Sequence, residues 1–173
     1  MSSEPTSISL RRVLILGNGG SGKSRLAERL GPALGAPVHQ VDAAAVDDAW
    51  RPIPVDRRRA TEAAWTDAEA WIIEGNGLVT LPVRTRRADT IVVLDVATAR
   101  CVARVVVRRL RRRGPARPHV PGAERLRARY LLHVARFRRR VLPDLLAAAR
   151  AADADVIVLR TQDEVDRFLA RAR

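Results

Sequence analysis

Five short apolar runs punctuate the chain: Arg12-Val13-Leu14-Ile15-Leu16, Pro37-Val38-His39-Gln40-Val41, Trp71-Ile72-Ile73, Ile91-Val92-Val93-Leu94 and Val156-Ile157-Val158-Leu159. Runs of this length without polar alternation read as strands covered on both faces. The segments between them carry helical spacing. Leu26, Ala27 and Leu30 predict a helix from Ser24 that ends near Gly31 or Gly35. Asp56 to Asp67, with Ala60, Ala63 and Ala64 as a small face, predicts a second, and Ala97 to Arg113 a third. A long helix is expected over 123–152, disturbed before Pro143. Thr161, with Glu164 three residues on, forms a capping box that starts the last one. Residues 43–55 read as a loop with a helical turn, and 114–122, with three prolines and two glycines, as a loop. Alternating strands and helices predict an α/β fold: a five-stranded parallel sheet with helices on both faces.

Between the first strand and the first helix lies Gly17-Asn18-Gly19-Gly20-Ser21-Gly22-Lys23-Ser24. This is the phosphate-loop pattern G-x-x-x-x-G-K-[ST], in the strand–loop–helix context it requires. Backbone N–H groups curl around an oxyanion, and the helix N-terminus adds partial positive charge. Lys23 is the only lysine in the chain; the other 31 basic residues are arginine. A compact ammonium reaches β- and γ-phosphates inside such a curl, where a planar guanidinium is hard to fit. Ser24 is expected to place its hydroxyl on Mg²⁺, and Arg25 follows at the nucleotide's edge. A rival reading exists. Gly17, Gly19 and Gly22 satisfy G-x-G-x-x-G, and Asp42 lies 20 residues beyond Gly22, as in a dinucleotide-binding fold. The Lys-Ser pair, which that fingerprint does not need, weighs against it.

Parallel sheets bind ligands beyond the carboxyl ends of their strands. Those ends carry the Gly17 loop, Asp42, Glu74 and Asp95. Asp95 alone is explained by the turn before the next helix, but three carboxylates on one rim suggest Mg²⁺ handling and a general base. Asp42 is expected to be that base, ending the strand beside the phosphate-loop strand and facing an acceptor. Glu74 is expected to orient a Mg²⁺-bound water.

Composition narrows the class. A chain of 173 residues fits one domain with a real core, with residues 1–9 as a loose tail. Aromatics are 3%, so Ala, Val and Leu must fill that core. Cys101, the only cysteine, excludes an internal disulfide framework; on a helix with Val102 and Val105 it reads as core filler. No apolar run reaches membrane-spanning length, no signal segment is visible, and a cytoplasmic protein is expected. The net charge of +13 is concentrated: residues 100–140 hold fifteen arginines and one acid, Glu124. Such a block suggests contact with a polyanion, either nucleotide phosphates or nucleic acid, or else a solvated arginine-rich surface.

The chain resembles the P-loop kinase superfamily of adenylate and shikimate kinases. More narrowly, it is similar to the small bacterial DNA topology modulation proteins, which are adenylate-kinase-like P-loop NTPases. The resemblance is carried by Gly17–Ser24, Val41-Asp42-Ala43 with Trp50 and Pro54, Trp71-Ile72-Ile73-Glu74-Gly75-Asn76, Arg84, Ala88-Asp89-Thr90, Val93-Leu94-Asp95, Arg108-Arg109-Leu110, Arg113-Gly114, Arg117-Pro118 and Val158-Leu159-Arg160. It implies an acceptor-site region over 43–70 and a short lid over 111–123. It implies that Arg109, Arg113 and Arg117 close over ATP phosphates, that Asn76 lies on the acceptor side, and that Arg84 holds an acceptor phosphate or acid. Ala44, Ala45 and Val46 stand where that family tends to have aromatics, and Glu74 where it commonly has Asp. A smaller or aliphatic acceptor than a nucleoside is then plausible.

The expectation is an ATP- and Mg²⁺-dependent phosphotransferase acting on a small-molecule acceptor, as a monomer or homodimer. Lys23, Asp42, Glu74, Arg113 and Arg117 are its expected catalytic residues. The alternative is a protein in which ATP gates nucleic-acid binding through the 100–140 arginines. Tyr130 and Phe137 are the only aromatics there, so such binding would be weak and electrostatic.

Overall fold

The computed structural model describes residues 10–47, 51–111 and 128–172. Its elements run β1 (Arg12–Gly17), α1 (Lys23–Leu34), β2 (Val38–Gln40), a 3₁₀ turn (Ala43–Ala45), α2 (Val55–Thr66), β3 (Trp71–Glu74), α3 (Leu81–Thr85), β4 (Thr90–Leu94), α4 (Thr98–Arg111), α5 (Ala128–Arg140), α6 (Leu142–Arg150), β5 (Asp155–Leu159) and α7 (Gln162–Arg171). The strands form one parallel sheet in the order β2-β3-β1-β4-β5. The five expected strands are all present. The expected helix over 123–152 is two helices in the described part, α5 and α6. They meet at Val141, where Pro143 sits in the first turn of α6. The capping box is formed: the Thr161 hydroxyl accepts from Glu164 N–H, and the Glu164 carboxylate accepts from Thr161 N–H.

Successive residues of a strand face opposite sides of the sheet, so each strand feeds two cores. Val13 and Ile15 pack with Ile72, Val92 and Leu94 beneath α1, α4 and α7, through Leu26, Leu30, Cys101, Val105 and Phe168. Leu14 and Leu16 pack with Trp71, Ile73, Ile91 and Val93 on the other side, against Leu81 of α3, Phe137 of α5, and Leu142 and Leu145 of α6. Cys101 is core filler, as expected: it is fully buried. Both faces being covered explains why the strands read as unbroken apolar runs.

The strand order corrects two expectations. β3, not β2, lies beside β1 on that side of the sheet, and β2 is the edge strand beyond it. Asp42 therefore does not end the strand beside the phosphate-loop strand; Glu74 does. In the dinucleotide fold the strand bearing the ribose-binding acid pairs directly with the first strand. Here it is one strand removed, so the dinucleotide reading loses its acid. Hydrophobic periodicity identifies strands but carries no information on which pair.

Candidate active site

The phosphate loop leaves β1 at Gly17 and enters α1 at Lys23. Gly20 and Gly22 have φ of +80° and +104°, a region that side chains rarely adopt. A Cβ on Gly20 would lie 2.5 Å from the carbonyl oxygen of Cys101, so α4 sits directly against the loop. Gly22 is the N-cap of α1 and offers no side chain to cap it. The N–H groups of the first turn are thus left for an external acceptor. Inside the curl, Lys23 Nζ donates to the carbonyls of Gly17 (3.0 Å) and Asn18 (3.1 Å). Burial holds its pKa below the ordinary value, against the opposing charges of Glu74 and Asp42.

Both carbonyls keep a partner if Lys23 leaves. Ser21 N–H donates to Asn18 O at 3.2 Å. The Asn76 carboxamide binds Gly17 twice: its Nδ2 donates to Gly17 O at 2.9 Å, and its Oδ1 accepts from Gly17 N–H at 3.0 Å. Lys23 can therefore turn from the carbonyls to an anion without stranding a buried acceptor. A basic curl, uncapped amides and a displaceable ammonium fit the phosphates of a nucleotide.

Glu74, at the end of β3, accepts a hydrogen bond of 2.7 Å from the Ser24 hydroxyl. These are the residues that would hold Mg²⁺, directly through Ser24 and through water at Glu74. Glu74 is buried, and burial raises its pKa; Lys23 and Ser24 oppose the shift, while Asp42 and Glu28 add to it. Asp42 is exposed just beyond β2. Its charge is felt at Lys23, Glu74 and Arg84.

Other expected site residues are placed differently. Asn76 spends both polar atoms on Gly17 and is not turned to an acceptor. Arg84 is fully buried, ion-paired with Glu62 at 2.8 Å and donating to the carbonyls of Gly75, Asn76 and Gly77. No guanidinium nitrogen is left for an acceptor phosphate or acid. Asp95 is not a free third carboxylate: Arg138 Nε and Arg160 Nε lie 3.1 and 3.4 Å from its oxygens. Arg25 is exposed on α1, and its charge acts on Asp166 of α7. Arg109 is half-buried on α4, while Arg113 and Arg117 lie outside the described residues.

Three contacts on the loop were not foreseen. Arg104 Nη1 donates to the carbonyls of Gly20 (3.4 Å) and Ser21 (3.3 Å). Asn18 Nδ2 donates to Val134 O of α5 at 2.9 Å, and the Tyr130 hydroxyl packs against Gly19. Helical phase could have found Arg104, which lies beside Cys101 and Val105 on the face of α4 that packs inward. Nothing in the sequence points to the other two, since both depend on how α5 packs against the loop.

The raised pKa of Glu74 has a definite sign in stability. The folded chain holds this proton more tightly than the unfolded chain, so ionising Glu74 favours unfolding. Stability from this group is present below its ordinary value of 4.5 and is lost as pH rises through the raised folded value. Glu74→Gln should therefore be more resistant to urea than the parent at pH 7.5, with the difference shrinking towards pH 4. A difference that stays constant or grows on acidification would show that Glu74 is not opposed by burial.

Solved structures share this architecture. Shikimate kinase from Acinetobacter baumannii in complex with shikimate superposes with a TM-score of 0.57 at 15% identity, covering 94% of this chain and 90% of that one. A sugar kinase from Janibacter sp. gives 0.53 at 19% identity, covering 96% and 92%. Shikimate kinase from Bacteroides thetaiotaomicron gives 0.55 at 17% identity, covering 94% and 96%. No protein-family model and no curated protein matches the chain, so the narrower likeness to DNA topology modulation proteins rests on sequence motifs alone. The chain has the P-loop kinase fold of the shikimate and sugar kinases.

Proposed function

We propose that this protein is an ATP- and Mg²⁺-dependent kinase that phosphorylates a hydroxyl group of a small molecule. The observation that carries the reading is the Lys23–Ser24–Glu74 constellation, with Ser24 2.7 Å from Glu74, in a phosphate loop that Asp42 faces electrostatically. Bound Mg–ATP supplies the phosphoryl group and neutralises its oxygens. The chain supplies position and charge, which phosphoryl transfer needs more than covalent help. Lys23 and the loop amides hold the phosphates. Ser24 and Glu74 fix the metal side. Asp42, exposed at the rim, takes the proton from the acceptor hydroxyl as its oxygen bonds phosphorus and the bond to ADP breaks.

The acceptor belongs to the small hydroxylated class. Kinases for shikimate and for a sugar share the fold. The turn after Asp42 is built of Ala43, Ala44 and Ala45, which offer no aromatic wall for stacking a base. Lys23→Ala should weaken Mg–ATP binding at least about tenfold in calorimetry while retaining the parent's circular dichroism; equal affinity would end the phosphate-loop reading. With the acceptor identified from a panel of nucleosides, sugars and hydroxy acids, Asp42→Asn should lower turnover by about 10²-fold. Its ATP affinity should stay close to the parent's. An unchanged rate would remove Asp42 from the role of base.

A second reading, in which ATP gates binding to nucleic acid, is favoured by one feature. Arg100, Arg108, Arg111, Arg129, Arg136, Arg139 and Arg140 are exposed on α4 and α5, and none forms an ion pair among the described residues. Weak duplex binding at low salt follows from charge alone. At about 0.15 M salt, where exposed charges are screened beyond about 8 Å, the kinase reading expects that binding to be gone. Sub-micromolar DNA affinity that persists there and responds to ATP, with no acceptor phosphorylated, would favour the switch.

A further inference from the structure

Arg84 is the one arginine among the described residues that is fully buried, and the chemistry of phosphoryl transfer does not use it. Its Nε lies 2.8 Å from Glu62 of α2, itself buried. Its Nη1 donates to Gly75 O at 2.6 Å, and its Nη2 to Asn76 O at 2.9 Å and Gly77 O at 3.1 Å. Three successive carbonyls thus converge on one guanidinium. The other Glu62 oxygen accepts from the Thr80 hydroxyl at 2.7 Å, which closes the cluster from the α3 side. The turn that Arg84 gathers carries Asn76, whose carboxamide is bound to Gly17, and the Gly17 carbonyl is where Lys23 rests.

We propose that the Glu62–Arg84 pair is a positioning device for the phosphate site, carrying the placement of α2 through the 75–77 turn and the Asn76 carboxamide to Gly17 and Lys23. A buried ion pair is a poor way to gain stability, since an apolar pair of the same volume often does better. An apolar pair could not hold three carbonyls. Without the guanidinium the carbonyls of Gly75 and Asn76 lose this donor, while Gly77 O keeps Thr80 N–H at 2.9 Å, and the turn must open to satisfy the buried Gly75 carbonyl. Asn76 would then release Gly17, and Lys23 would become the only side chain on that carbonyl, harder to detach for a phosphate. The link joins the helix of the expected acceptor region to the nucleotide site. Calling α2 the acceptor side rests on the kinase reading; the link itself does not.

The solitary lysine makes the test direct. Protein labelled with ¹³C-lysine gives a single Lys23 side-chain signal. Glu62→Gln keeps a partner for Thr80 but removes the charge opposite Arg84; Asn76→Ala cuts the last link. Each should move the Lys23 signal and weaken Mg–ATP binding about tenfold, the lower end for groups that orient a ligand-holding residue. The double variant should be no worse than Asn76→Ala alone, because the two act in series. Asp67→Asn, which breaks the exposed Asp67–Arg87 pair just past the end of α2, should leave the signal in place. If Glu62→Gln does not fold, Arg84→Lys keeps the charge but loses the fork, and it should give the same shift. Additive losses in the double variant, or a folded Glu62→Gln with an unmoved Lys23 signal, overturns the proposal. If the parent binds no Mg–ATP, the kinase reading fails, while the Lys23 signal still decides the link.

Discussion

The carbonyl of Gly17, at the end of the central strand, accepts hydrogen bonds from Lys23 Nζ at 3.0 Å and Asn76 Nδ2 at 2.9 Å. A carbonyl has two lone pairs, and in this buried position at least one must be occupied. The doubled bonding makes one donor permanent and the other removable. Asn76 also holds Gly17 N–H, so it grips the peptide on both sides as a neighbouring strand would. It continues the pairing of β1 with β3 one step beyond Glu74, the last strand residue. With the strand end fixed in this way, the loop beyond it can be glycine-rich and uncapped without loosening the sheet.

That arrangement sets stability against function at the rim. Burial disfavours the charged forms of both Lys23 and Glu74, and each is partly restored by the other. An incoming phosphate would replace Glu74 as the counter-charge to Lys23, and an incoming Mg²⁺ would replace Lys23 as the counter-charge to Glu74. On the kinase reading, two groups that are ill at ease alone would each be better satisfied by a different part of the same ligand. The sheet absorbs the cost: Val13, Leu14, Ile15 and Leu16 of the strand that carries the loop have no exposure at all. Each such fully buried aliphatic side chain contributes about 1.5–3 kcal/mol, and glycine takes up the left-handed conformations of the loop without steric strain.

Local signals in the sequence were enough for the five strands, the loop and most of the helices. Unbroken apolar runs marked the strands, Gly17 to Ser24 marked the loop between β1 and α1, and Thr161 with Glu164 marked the last helix. What could not be read was pairing. Nothing in the residues around Asp42 or Glu74 states that β3 enters the sheet between β2 and β1, yet that order decides which carboxylate adjoins the loop. Helix α3 has five residues and a proline in its first turn, too short to show a period, and it delivers Arg84. The family resemblance implied an acceptor-binding role for Arg84, and arginine is rarely interior. Only the buried partner Glu62, 22 residues earlier, reverses it. The Asn76 and Asn18 contacts are to backbone atoms, which look the same in every sequence.

The division between lysine and arginine follows from what each cation can release. Arg84 binds three carbonyls and a carboxylate, Arg138 grips Asp95 through Nε and Nη2, and Arg104 spans two carbonyls of the phosphate loop. A planar fork of fixed donors suits such static, many-pointed contacts, since all its bonds are set by one orientation. To move, it would have to break them together. Lys23 makes two bonds from one rotatable ammonium to carbonyls that each keep a second donor. It alone among these cations can change partners at small cost. A chain with 31 arginines keeps its single lysine where both of a cation's contacts are backed by a second donor.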